Sequence, residues 1–173
     1  GFTQLLKRNN LTEEIRLKHI GIIEQSGNRL LNIINDIIDL SKIESGQVEV
    51  NLKQTNINEQ LQFIYNFFKP ETEKKSVDFF YKKPLNDEFA NCLTDTEKLY
   101  AVLTNLVKNA IKFTEKGFIE FGYNLENGFF KFFVKDSGYG IEKEKQKVIF
   151  ERFRQGSEEY NRKYEGSGLG LTI

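Results

Sequence analysis

At 173 residues the chain suits one domain, or one domain with an appendage, and is long enough to bury a core. Its 25 basic and 25 acidic side chains cancel, so it lacks the electrostatic footprint of a nucleic-acid or anionic-membrane binder. A single cysteine, Cys92, excludes an internal disulfide and a cysteine-based zinc cluster, and no apolar run approaches the ~18 residues of a membrane span.

In chain order, residues 1–6 read as the tail of a helix and KRNN (7–10) as a polar turn. One long helix is predicted over Thr12–Ser45, with Gly46 at its C-terminal end. Its seam of Ile20, Ile23, Gly27, Leu30, Ile34, Ile37 and Ser41 alternates steps of three and four, a heptad pattern. Ile22, Leu31, Ile33, Ile38 and Leu40 widen the stripe as a bundle requires. Residues 1–46 therefore read as most of a helical hairpin that buries its stripe by dimerising into a four-helix bundle; the alternative is packing onto its own globular domain. His19, the only histidine, sits early on this helix with no carboxylate directly after it, and reads as a surface or packing residue.

From Gln47 the texture changes. VEVNL (48–52) alternates as a strand, and Asn56 or Asn58 is predicted to cap a helix through Phe68, with Pro70 near its end. SVDFFY (76–81) reads as a strand, Pro84–Asp87 as a loop, and Ala90–Leu93 as a short strand leading into a helix over Asp95–Thr114. Thr94 and Glu97 fit a capping box for that helix. Gly117–Leu125 and Phe129–Asp136 read as strands joined by a tight turn at Glu126-Asn127-Gly128. A charged helix is expected over Glu142–Phe153, followed by a polar segment Gln155–Glu165 and GSGLGLTI. Strands and helices mix without βαβ alternation, so the fold class is α+β: a mixed sheet covered on one face by helices.

Three places draw attention. On the Asp95–Thr114 helix, Leu99, Val102, Leu103, Leu106, Ala110 and Phe113 share one face and read as the core stripe. Asn105, Asn109 and Lys112 recur on a second stripe, about a third of a turn away at ~100° per residue. Asparagine is a poor choice in mid-helix, so the stripe reads either as a solvated face or as two amide oxygens for a hard cation beside an ammonium for phosphate. Asp136-Ser-Gly-Tyr-Gly-Ile follows a strand; it reads as a turn, or as a loop where Gly138 and Gly140 admit a ligand and Asp136 accepts from an amine. Gly166-Ser-Gly-Leu-Gly-Leu reads as a loop opening a helix, a place suited to phosphate.

Taken in order, NLVKNAIKFT, DSGYGI, FERFRQ and GSGLGL, with a hairpin between the first two, resemble the N, G1, F and G2 boxes of the sensor histidine kinases of two-component systems. RLLNIINDIIDLSKIESGQ resembles the second helix of that family's dimerisation domain. The resemblance implies a dimerisation hairpin over 1–46 lacking the phosphoacceptor segment, and a catalytic ATP-binding domain of the Bergerat type over 47–173. It implies Mg²⁺ near Asn105 and Asn109, the phosphates at Lys112, and adenine at Asp136 with Phe113 against the base. It also implies Gly138, Gly140, Gly166, Gly168 and Gly170 around the nucleotide, and Arg154 at the γ-phosphate. The partners it implies are a second copy through the hairpin and a response-regulator receiver domain, with no nucleic acid. A cytoplasmic location is expected, with a membrane anchor only through segments preceding Gly1. The family's H-E/D-x-x-x-P phosphoacceptor segment would also lie before Gly1, and its closing strands after Ile173, so the chain is expected not to phosphorylate itself. Two alternatives remain: a related ATPase of the gyrase or chaperone type, which carries a glutamate where Asn105 stands, and a non-catalytic dimerisation module.

Overall fold

The structure, a computed structural model, describes residue 6, residues 11–151 and residue 171. The expectations for residues 1–5 and 7–10, for Arg154, for Gln155–Glu165 and for Gly166, Gly168 and Gly170 lie outside them. The chain divides into two compact units, residues 1–48 with 173, and residues 49–172.

The first unit is built on α1, Glu13–Glu44. Thr12 caps it, its side chain accepting from the Ile15 amide, with Glu13 and Glu14 at the positive end of the helix dipole and Lys42 in the last turn. Gly46 follows at φ +66°, the left-handed residue that ends a helix cheaply. Along the predicted seam Ile20, Leu30, Ile34 and Ile37 are exposed, a lengthwise apolar stripe of the kind a bundle buries.

The second unit contains a three-stranded mixed sheet and a separate two-stranded ribbon. The ribbon pairs β1 (Lys53–Asn56) antiparallel with β3 (Asn91–Thr94). In the sheet, β2 (Val77–Lys82) runs parallel to β4 (Gly117–Glu126), and β4 pairs antiparallel with β5 (Phe129–Asp136). The β4–β5 hairpin turns on Asn127 (φ 52°) and Gly128 (φ 82°), two positive-φ residues whose twist matches that of the strands they join. Helix α2 (Ile57–Lys75) and helix α3 (Thr96–Phe113) cover one face of this sheet. Ile57, Leu61, Ile64 and Phe68 of α2 meet Leu103, Val107, Ala110 and Ile111 of α3 over Ile119, Phe121 and Tyr123, alternate residues of β4. Tyr65, Phe79 and Phe121 stack in series at 5.3 and 5.2 Å, so aromatic rings fill part of this layer.

The observed elements depart from the sequence expectations at five points. VEVNL is not a strand; pairing begins at Lys53, where β3 offers an antiparallel partner, and residues 47–52 run outside any element. Helix α2 continues past Phe68 and through Pro70 to a left-handed Ser76 (φ 54°), because buried Phe68, Thr72 and Val77 hold the last turns onto the core. The cap of α3 is Asp95, not the Thr94/Glu97 box: Thr94 is committed to pairing with Lys53, and Asp95 Oδ1 accepts from the Lys98 amide at 3.0 Å. Asp95 is almost buried, its Oδ2 also taking the Asn51 amide (2.9 Å) and Lys98 Nζ (2.8 Å). These bonds, the Lys98 side chain foremost, hold its carboxyl far below the usual range. The described part of Glu142–Phe153 makes turns and a 3₁₀ stretch over Val148–Phe150 instead of an α-helix, since a short charged segment with no packed apolar face does not repay helix nucleation.

The fifth departure matters most. The buried stripe of α3 is Leu103, Val107, Ala110 and Ile111, while Val102 is 54% and Phe113 37% exposed. The helix is thus rotated about its axis from the predicted setting, toward Val107 and Ile111. Leu103→Ala is expected to cost about 2–5 kcal/mol of unfolding free energy, and Val102→Ala to stay within roughly 0.5 kcal/mol, in urea denaturation of the two variants.

Candidate functional site

The rotation of α3 fixes where its polar residues go. With Leu103, Val107 and Ile111 inward, Asn105, Asn109 and Lys112 fall roughly half a turn from the core centre at ~100° per residue. All three are half-buried. The Lys112 ammonium stands 4.9 Å from the centre of the Phe113 ring, and burial pulls its pKa below the ordinary lysine value. A partly desolvated ammonium on the same helix face as two amides is a place where an anion gains more than it would in water.

The end of α3 is held from two sides. Lys75 Nζ, at the end of α2, donates to the Ile111 carbonyl at 2.7 Å, a cation placed on the negative end of the α3 dipole. The Phe113 carbonyl occupies the space a Cβ would need at Gly138, so only glycine lets the loop after β5 lie against this turn. That contact brings the DSGYGI loop to the C-terminal turn bearing Lys112 and Phe113. Within the loop, the Gly138 amide donates to Asp136 Oδ1 at 2.9 Å, and among the described residues Oδ2 accepts no hydrogen bond. Asp136 is exposed at the strand end, and Gly140 turns the chain at φ +71°. The approach thus brings Asp136 and Gly138 to the helix turn that carries Lys112 and Phe113, with Asn105 and Asn109 further back along α3.

Two features escaped the reading of the sequence. Lys75 lies beyond the helix end predicted at Phe68, and Ser137 carries no signal of its own in the sequence. The Ser137 hydroxyl accepts from the Phe118 amide (2.8 Å) and faces the Phe118 and Lys116 carbonyls. It occupies the space a Cβ would fill at Gly117 (φ +104°). The sequence reads Gly117 as the start of a strand; what fills the space beside it is set by the fold.

Two family models match the chain: the His Kinase A (phospho-acceptor) domain over residues 1–46, and the histidine kinase-, DNA gyrase B-, and HSP90-like ATPase over residues 94–173. Autoinducer 2 sensor kinase/phosphatase LuxQ of Vibrio vulnificus is 36% identical over 100% of this chain and 21% of its own length. The chain belongs to the sensor histidine kinases. Among solved structures, full-length ShkA in complex with AMPPNP covers 97% of this histidine kinase chain at TM-score 0.77 and 27% identity, the match taking in 34% of ShkA. The histidine kinase ThkA, in complex with the response regulator TrrA, covers 96% at TM-score 0.73 and 27% identity, over 49% of that chain. The kinase chain spans about a fifth of the length of the curated relatives it matches. Among its described residues no helix is long and apolar enough to cross a membrane, and no cluster of metal-ligating side chains of the His/Cys/Asp/Glu kind occurs.

Because the folded state lowers the Lys112 pKa, the unfolded chain holds this proton more tightly. The penalty of the charged form is present below the folded pKa and is relieved as pH rises through it toward 10.5. A polyphosphate at Lys112 would restore the charged form. Titration calorimetry with ADP near the lowered pKa, in buffers of different ionisation enthalpy, is expected to show net proton uptake, absent in Lys112→Met.

Proposed function

We propose that residues 47–173 form the ATP-binding catalytic domain of a histidine autokinase, and residues 1–46 part of its dimerisation hairpin. In this reading the domain passes the γ-phosphoryl of Mg-ATP to a histidine, which relays it to a response-regulator aspartate. The Phe113 carbonyl against Gly138 carries the proposal, because it joins a helix face suited to phosphate and cation to a carboxylate suited to a base. The fit to the nucleotide is chemical. Asp136 Oδ2 can accept from the exocyclic amine of adenine, and the half-exposed Phe113 ring offers a surface for the base. Lys112 supplies charge to the phosphates, and Asn105 and Asn109 supply the hard amide oxygens that Mg²⁺ prefers while it retains water. Mg²⁺ contributes neutralisation of the transferring group; the chain contributes binding and orientation. Arg154 and the glycines at 166, 168 and 170 belong to this proposal as γ-phosphate and phosphate-loop residues on their sequence pattern alone.

The partners follow from the same reading. The exposed Ile20–Ile37 stripe of α1 suits a second copy of the hairpin, and the ThkA–TrrA complex supports a receiver domain as the phosphoryl acceptor. The chain is then the cytoplasmic portion of a sensor whose anchor lies in other segments. Asn105 favours the kinase over a related ATPase. An amide holds a cation but takes no proton from water, and general-base help is typically worth ~10²–10⁴-fold.

Asn109→Ala is expected to weaken ADP binding in Mg²⁺ while leaving binding in EDTA unchanged, measured by calorimetry on folded protein. Equal affinity in Mg²⁺ removes Asn109 from the metal. Steady-state ATP hydrolysis at saturating Mg-ATP is expected to stay near background; sustained turnover at rates of a dedicated ATPase favours the related ATPase instead.

A further inference from the structure

The antiparallel register of β4 and β5 pairs Ile119 with Asp136, so the next facing pair in the same register is Phe118 and Ser137. One half of that rung is ordinary backbone: the Ser137 amide donates to the Phe118 carbonyl at 3.1 Å. The other half is not. The Phe118 amide donates to the Ser137 hydroxyl at 2.8 Å, where a continuing strand would offer the Ser137 carbonyl. A side chain thus completes the last rung, and the backbone after Asp136 is released from the sheet one residue earlier than the register would carry it. That release lets Gly138 reach the Phe113 carbonyl. It also lets the Gly138 amide turn back onto Asp136 Oδ1 at 2.9 Å, which sets the direction of the carboxylate and leaves Oδ2 outward. Gly117 is part of the device, since a Cβ there would take the place of the hydroxyl.

We infer that Ser137 is a positioning residue for base recognition: its hydroxyl ends strand β5 at Asp136 and so aims the carboxylate that reads the exocyclic amine of adenine. The inference rests on the assignment of Asp136 to adenine made above. Without the hydroxyl, the Phe118 amide either takes the residue 137 carbonyl, extending the strand and drawing Gly138 off α3, or is left unpaired. In both cases Asp136 loses its fixed direction, while the phosphate-facing Lys112 on α3 is untouched.

The experiment compares ADP with inosine 5′-diphosphate, which has the same ribose and phosphates but a carbonyl where adenine has its amine. Both affinities are measured by calorimetry on the full 173-residue chain and its variants. The native chain is expected to prefer ADP. Ser137→Ala is expected to reduce that preference roughly tenfold, the loss of one charge-assisted hydrogen bond, with inosine diphosphate bound as before. Ser137→Thr, which keeps the hydroxyl, is expected to retain it. A preference that survives in Ser137→Ala, or an equal loss for both nucleotides, overturns the positioning role. Asp136→Asn separates the two levels of the argument. If it abolishes the preference while Ser137→Ala does not, the base assignment stands and the Ser137 inference fails; if it leaves the preference intact, the base assignment itself fails.

Discussion

The packing of α3 on β4 is the constraint on which the rest depends. Leu103, Val107 and Ile111 are essentially buried against Ile119, Phe121 and Tyr123. Burial of such side chains stabilises by about 1.5–3 kcal/mol each. That preference sets the rotation of the helix about its own axis. Once it is set, the helix has no freedom to choose where Asn105, Asn109 and Lys112 point: they stand away from the core, and Phe113 stands at the border. The polar face is a consequence of apolar packing, and a core substitution that turned α3 would misdirect it without touching it.

The second constraint is close backbone approach at the end of that helix. The last carbonyls of an α-helix lack intrahelical partners. Here the Ala110 carbonyl takes the Thr114 amide, the Ile111 carbonyl takes Lys75 Nζ, and the Phe113 carbonyl lies against Gly138. Each of these ties a different element to the same turn: the helix to its own exit, α2 to α3, and the loop after β5 to α3. Lys75 and Ser137 act on backbone atoms of other elements, and Gly117 by leaving room for the hydroxyl, which is why none of them stands out in the sequence.

Polar satisfaction inside the second unit follows the same economy. Tyr123, buried in the middle of β4, donates to Asn58 Oδ1 at 2.9 Å, and Asn58 in turn donates to the Leu85 carbonyl and to Asp87 Oδ1. The bond from Asn58, followed by Lys83, holds the Asp87 carboxyl below its ordinary value. A tyrosine can serve in an otherwise aromatic layer only because this chain of partners takes its hydroxyl to the surface.

Much of this was legible from residues alone. The 3.6-residue period of α1 and α3, the Asn-Gly turn of the hairpin, the strands at 77–82, 117–126 and 129–136, and the ordered boxes that mark a sensor histidine kinase all rest on local periodicity, turn chemistry or spacing. What the sequence could not decide was whatever depends on a partner distant in the chain. Val102 and Val107 are equally apolar, and only the sheet beneath α3 makes one exposed and the other buried. VEVNL alternates as well as any strand, but β3 pairs four residues beginning at Lys53. Pro70 is a stop signal in isolation, overridden by buried Phe68 and Thr72 on either side. Gly138 is one of 13 glycines in the chain, and its necessity is set by a carbonyl 25 positions earlier, at Phe113. Local pattern selects the element; long-range packing alone selects its rotation, its ends and the contacts that make a site of it.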